Sequence, residues 1–305
     1  MRTLVALAAA AFLAVPVIGA GAEAPAVVTL VESQATLLRS TGRFSVAEGI
    51  RLQAGDLVEV AEKGLVQIGF ADGTKLSLGP RSRFHVAVLA APGGGADERG
   101  AKGAVVSDFY LLQGWSKFSI TRPAARVRLT TPLFGLVAGE STAVLQVQSG
   151  EGSVFVEKGE LRLSEGFVKA STTSAITVRA GQFYSRKTDR EGTTQARPVP
   201  AFVAGMPAQY RDNLPDRPAK FKEVVPRRLG DLAYADVELW LKGPPDLRRP
   251  IMQRLRPLAR EPEFRKAVIA NMRFHPEWDR VLFPDKYKSK QPPPASPIPA
   301  PKRND

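Results

Sequence analysis

Between Gln53 and Gly79 the chain alternates apolar and polar residues in short runs, each stopped by Gly-Asp, Lys-Gly or Asp-Gly. Val66, Ile68 and Phe70 alternate with Gln67 and Gly69, and Leu76 and Leu78 alternate with Lys75 and Ser77. A period of two with one apolar side marks a half-buried strand, because successive side chains leave opposite faces. Asp72-Gly73 invites a two-residue hairpin, but that turn would set Phe70 opposite Lys75 and Ile68 opposite Ser77. A three-residue loop, Ala71-Asp72-Gly73, sets Ile68 against Leu76 and Val66 against Leu78. It also places Gly73 where a positive φ is needed. The expected unit is therefore a pair of short strands joined by a bulged turn, with no reactive chemistry in it.

At 305 residues, two domains are the natural division, and 44% hydrophobic residues suffice for real cores. The first residues read as a targeting segment: Arg2 supplies positive charge, Leu4 to Ile18 is almost wholly apolar, and Ala20-Gly21-Ala22 offers the small residues of a cleavage site. Residues 1–22 are expected to leave as a signal peptide. The mature chain, with no transmembrane anchor, would be periplasmic or secreted, since no later stretch approaches the roughly 20 apolar residues of a membrane span. With no cysteine, the chain has no disulfide, thiolate metal site or cysteine nucleophile. The net charge of +13 attracts polyanions without specificity. Outside the inner membrane those are acidic glycans, phospholipid headgroups and wall polymers.

Further strands are expected at Val27–Val31, Thr36–Leu38, Leu57–Val60 and Arg83–Val88, then from Val105 onward. His85 falls in one of them without partner ligands, so it is read as structural. The triple glycine Gly93–Gly95 is read as a surface loop, because no helix and Lys-Ser/Thr pair follow it. Val154 and Val156 answer Leu161 and Leu163 across Lys158-Gly159, read as an even turn that keeps all four on one face. Arg179-Ala180-Gly181-Gln182-Phe183 echoes Gln53-Ala54-Gly55-Asp56-Leu57.

Taken together these residues resemble a FecR-type domain, the extracytoplasmic module named for the ferric citrate regulator. The resemblance rests on Gly55 and Asp56, the Ile68-to-Leu78 run with Asp72 and Gly73, then Gln113-Gly114, Pro132, Gly139 and Gly181, and it covers roughly Val27 to Arg186. It implies an all-β, non-catalytic domain that works in envelope signalling. Family regulators place an anti-sigma segment and a membrane span before this domain, whereas here it follows the signal segment directly. Direct control of a sigma factor is therefore not expected.

Residues 188–230 are Pro-rich and polar, a linker or irregular strap, with one helical turn at Ala208–Pro215. From 231 to 287 the period becomes helical: Tyr234, Val237 and Leu241 share one face, a second helix follows Asp246, and a third begins at Glu261 with Pro262 in its first turn. These helices form either a small bundle or a cover for the β domain. The second carries Arg248, Arg249, Arg254 and Arg256. Without base-stacking aromatics beside them, they are read as a solvated face or as a docking face for an acidic partner, with no nucleic acid involved. His275, Glu277 and Asp279 lack the partners of a metal or acid–base site. Residues 288–305 read as a disordered Pro-rich tail.

The expected fold is mainly β, a small roll, solenoid-like or sandwich domain over 23–187, with a small helical C-terminal region. The expected function is a non-enzymatic, cofactor-free interaction or sensing module that binds another envelope protein. The alternative is a structural scaffold that holds an anionic wall polymer.

Overall fold

Seven short strands come first: β1 (Ala26–Glu32), β2 (Ala35–Arg39), β3 (Gly42–Ser45), β4 (Leu57–Val60), β5 (Leu65–Phe70), β6 (Lys75–Leu78) and β7 (Arg83–Val88). The computed structural model describes residues 26–89, 107–123, 125–165, 175–217 and 222–287. The expected signal segment 1–22, the Gly93–Gly95 loop and the tail 288–305 lie outside them. β5 and β6 pair with Val66 opposite Leu78 and Ile68 opposite Leu76. Gly73 closes the three-residue loop at φ +82°, donating its N–H to the Phe70 carbonyl.

Four longer or central strands follow: β8 (Ser107–Ile120), β9 (Val127–Thr130), β10 (Gly135–Gln148) and β11 (Glu151–Ser164). Then come β12 (Ile176–Arg179), β13 (Phe183–Lys187) and β14 (Thr193–Gln195). The long strands each serve two layers. The first half of β8 pairs with β7 and β9, and its second half with β6 and β10. Likewise β11 gives its first half to β13 and its second to β12. Each changes layer at an irregular point: Gly114 (φ +98°) in β8, the slip after Ala138 in β10, and Gly159 (φ +75°) in β11. A bulge adds one residue and reverses which side chains face inward. Val154 and Val156 therefore face the same core as Leu161 and Leu163. The expected turn at Lys158-Gly159 is thus corrected to a bulge within one continuous strand, and the hairpin turn sits at Ser149-Gly150 instead.

The layers face each other across one inner core. Phe70 of β5 meets Phe109 of β8 with ring centroids 5.7 Å apart, and Phe84 packs beside them. Several strands are apolar on both sides: Leu37 faces inward and Leu38 outward, as do Val58 and Leu57, Phe109 and Tyr110, and Tyr184 and Phe183. Strands buried on both faces need a cover on each side of the sandwich.

One cover is the segment expected to be a linker. Its helix α1 (Pro200–Gly205) and the turn Ala208–Tyr210 bring Phe202, Met206, Tyr210 and Leu214 onto Trp115, Val144 and Phe183. The expectation that β5 is half-exposed is corrected here, since all six of its residues are buried. The polar groups beneath the strap are met by its backbone. Lys117, 1% exposed, donates to the carbonyls of Tyr210 (2.7 Å) and Asp212 (2.9 Å) and to Glu157 (2.9 Å). Gln67 donates to the Pro215 carbonyl at 3.0 Å.

The other cover is helical. β15 (Arg228–Asp231) pairs with β3, and α2 (Tyr234–Leu241), α3 (Pro245–Leu255), α4 (Pro262–Ala270) and α5 (Asp279–Leu282) follow. Val237, Trp240, Ile251, Leu255, Phe264 and Trp278 share one core with Leu38, Leu57 and Tyr110 of the sheet. The helices therefore cover the β domain rather than standing apart. No helix among the described residues is long and apolar enough to cross a membrane.

Two glycines separate the cost of backbone strain from that of crowding. Both have positive φ, but a Cβ at Gly114 would overlap the Ser82 backbone, whereas one at Gly181 meets nothing within 4 Å among the described residues. Urea unfolding is expected to show Gly181→Ala losing about 1 kcal/mol and Gly114→Ala losing about 3 kcal/mol or more. Equal losses would refute this account of the layer switch.

Candidate functional site

Two equivalent turns frame the site. In Gln53–Asp56 the Asp56 N–H donates to the Gln53 carbonyl (3.1 Å), Gly55 has φ +91°, and Asp56 Oδ2 accepts the Gln53 N–H at 2.8 Å. In Arg179–Gln182 the Gln182 N–H donates to the Arg179 carbonyl (2.9 Å), Gly181 has φ +84°, and Gln182 Oε1 accepts the Arg179 N–H at 2.8 Å. Positive φ at the third position is what a type II turn requires. The five-residue echo in the sequence is thus one turn used twice, each time leading into a strand.

The two turns differ in charge. Asp56 is buried, and Arg39 grips it with both arms, Nε to Oδ1 at 2.8 Å and Nη2 to Oδ2 at 2.6 Å. From the other side α3 lays Arg254 over Gly55, where an added Cβ would stand 3.2 Å from Nη1. Nε and Nη2 of Arg254 are buried without a hydrogen-bond partner among the described residues. Burial holds the Arg254 pKa below its ordinary value, with nearby Asp56 acting against that shift. His85 lies close by on β7, between Leu57 of β4 and Tyr110 of β8. Burial, and then the charge of Arg254, lower its pKa to about 4, so the ring is neutral near pH 7.

Beside this cluster a cleft of about 370 Å³ opens between the sheet and α3. Its polar lining includes His85, Asp108, Tyr110, Arg128 and Asp246. Asp108 and Arg128 form an ion pair at 3.2 Å. The Tyr110 hydroxyl is buried with no hydrogen-bond partner among the described residues, and burial together with Asp246 raises its pKa. Pro250 sits inside α3 and has no N–H, so the Asp246 carbonyl lacks its helical donor at the same cleft. The arrangement can hydrogen-bond a small polar molecule through a hydroxyl donor, a neutral imidazole and a carboxylate. Among the described residues no group of three or more His, Asp or Glu is placed to hold a metal.

The four arginines of the second helix divide. Arg248 is turned inward onto Glu277, with its Nη2 2.8 Å from Oε1, and Arg254 is turned inward onto the Asp56 turn. Arg249, 62% exposed, and Arg256 face outward. The remaining singled-out residues hold local structure. Asp72 accepts the Thr74 N–H at 2.8 Å, and Pro132 lies in a turn in which the Thr131 hydroxyl accepts two N–H groups. Gly139 leaves room for the Arg126 guanidinium. His275 bonds the Tyr234 hydroxyl at 3.0 Å, and Asp279 holds Lys286 and Tyr287. Tyr110, Asp108 and Arg128 escape the sequence reading, because only strand pairing brings them beside Asp246 of a distant helix.

No family model matches the sequence, and no curated protein matches it. Two crystal structures of a protein from Parabacteroides distasonis ATCC 8503, described as a "putative anti-sigma factor", resemble part of the fold. At 1.65 Å resolution the TM-score is 0.37 with 11% identity, covering 48% of this chain and 63% of that one. At 2.50 Å the figures are 0.37 and 12%, covering 49% and 64%. The likeness therefore spans less than two thirds of that protein's chain.

Two outcomes follow from the Asp56 cluster. An unpaired buried cation is often replaced by an apolar side chain without loss, whereas stripping a buried carboxylate from its partners costs several kcal/mol. Arg254→Met is expected to keep stability within about 1 kcal/mol and to raise the His85 pKa, read by NMR of the ring protons. Asp56→Ala is expected to lose about 3–5 kcal/mol in urea unfolding. An unmoved His85 pKa in Arg254→Met would contradict the placement of that charge.

His85 also makes stability depend on pH. Its folded pKa, about 4, lies below the unfolded value near 6.5, so the stability it confers is full above 6.5 and drains away as pH falls toward 4. The wild-type protein is expected to lose about 3 kcal/mol relative to His85→Gln between pH 7 and pH 4. Parallel urea-midpoint profiles for the two proteins would refute the buried neutral imidazole.

Proposed function

We propose that the chain is an exported, non-enzymatic FecR-type module of the bacterial envelope that uses no cofactor and acts by binding a partner, as an interaction or sensing unit. The order of its motifs supports the family reading, as does the pair of matching turns at Gly55 and Gly181. The observation that carries the binding role is the junction itself. Arg254 of the C-terminal helices sits on the Asp56 turn, and the cleft with the unpartnered Tyr110 hydroxyl opens between the same two parts. A molecule held there touches both the module and its helical cover, so occupancy favours their docked arrangement.

Export is tested by fractionating cells that express the full chain and sequencing the N-terminus of the purified product. The expected product begins near Glu23 and lies outside the inner membrane. Unprocessed chain in the cytosol would overturn the reading.

A second reading rests on Arg249 and Arg256, two solvent-exposed cations on α3 and just past its end that can meet an anionic wall polymer, although Arg249 also lies 3.6 Å from Glu277. Pull-down on purified wall polymer is then expected to weaken steeply as salt rises.

A further inference from the structure

We infer that the cleft between the sheet and α3 holds the ammonium group of a small organic amine. This rests on the reading of that cleft as a binding site and is independent of the family and of export.

Strand register builds the floor. His85 of β7, Tyr110 of β8, Thr130 of β9, Gly135 of β10 and Ser164 of β11 stand opposite one another in one row across five strands. Residues directly opposite share a face of the sheet, so the row sets an imidazole and three hydroxyls on one side. Gly135 brings no side chain, which leaves the row open between Thr130 and Ser164. The next row on the same face holds Asp108, Arg128 and Val137. The first turns of α3 close the cleft from above with Asp246, Leu247 and Pro250.

The unmet groups in this cleft are mostly acceptors. Arg128 is already paired with Asp108 at 3.2 Å. Asp246 does not take the next two cations of its own helix, because Arg248 and Arg249 both reach Glu277. Arg254, whose charge reaches His85, is turned onto the Asp56 turn and does not line the cleft. Pro250 deprives the Asp246 carbonyl of its helical N–H. Tyr110 is 6% exposed, and its hydroxyl has no hydrogen-bond partner among the described residues while feeling the Asp246 charge.

A carboxylate, a carbonyl and a hydroxyl oxygen together call for a positive group with several donors. A primary ammonium carries three N–H donors and no acceptor, so it can serve all of them at once. An anion would bring no donor and would be repelled by Asp246. A sugar would seek an open ring face, but the lining rings Phe109 and Phe134 are 2% and 1% exposed. The hydrocarbon part of an amine meets Leu136, Val137 and Leu247 instead. A volume of about 370 Å³ is at the low end for ligand pockets, so that part is small.

The test titrates the purified protein with phenethylamine, 2-phenylethanol and 3-phenylpropionate, which share a shape and differ in charge, while NMR follows the His85 ring protons. The amine is expected to shift them at millimolar concentration and to bind at least tenfold more tightly than the alcohol, with no shift from the acid. Asp246→Asn is expected to weaken amine binding at least tenfold, and Tyr110→Phe about fivefold. Tyr110→Phe removes a buried hydroxyl that has nothing to bond, so its urea midpoint is expected not to fall and its weaker binding is not a loss of fold. Equal binding of the alcohol or the acid would overturn the amine and leave the cleft a site for another ligand. Undiminished amine binding by either variant would overturn the placement of the ammonium. Silent His85 signals with all three compounds would overturn both this inference and the binding role of the cleft.

Discussion

Burying a carboxylate costs several kcal/mol unless donors enclose it, and Asp56 sits at the point where that cost shapes the molecule. Its oxygens take both arms of Arg39 and the Gln53 N–H, which ties β2 to the turn before β4. The same negative site gives Arg254 a reason to lie inward from α3, and Arg254 adds to the burial that keeps His85 neutral. One buried charge thus links the sheet, the helical cover and the floor of the cleft. In the equivalent turn the capping side chain, Gln182, is neutral, so the backbone device is shared by both turns and the buried carboxylate is particular to the first.

The second constraint is how three long strands serve two layers. A strand has a fixed inward face only while its alternation is unbroken, so a strand that crosses from one layer to the other must reset its parity. Gly114, the slip after Ala138 and Gly159 make those resets in β8, β10 and β11. The resets keep Leu111 and Phe118, Leu136 and Leu145, and Val156 and Leu161 in one inner core despite their mismatched spacing. The sheet remains one hydrogen-bonded network while forming two packed faces.

Because both outer faces of this sandwich are apolar, the C-terminal half of the chain is part of the fold rather than an appendage. The strap does more than cover. Its carbonyls at Tyr210, Asp212 and Pro215 meet the polar groups of Lys117 and Gln67, which would otherwise be costly beneath it. The helices contribute otherwise: they close one side of a cleft lined by a hydroxyl, a carboxylate and an imidazole.

Period-two alternation determined from sequence alone that the chain is mainly β. Parity also determined the three-residue loop at Gly73, because side chains on a strand leave only two choices of face. The break of parity at Lys158-Gly159 was equally legible, but a hairpin and a bulge produce the same break, and only the pairing of β11 along β10 chose between them. Helix faces were readable from Tyr234, Val237 and Leu241 through their spacing, whereas what those faces would cover was not. The tertiary structure decided that Arg254 and Arg248 turn inward while Arg249 and Arg256 stay in water, since four arginines on one short helix carry no local mark of which will meet a buried carboxylate. It also decided the cleft, because Tyr110 and Asp246 are joined only by the docking of a helix onto a strand far away in the chain.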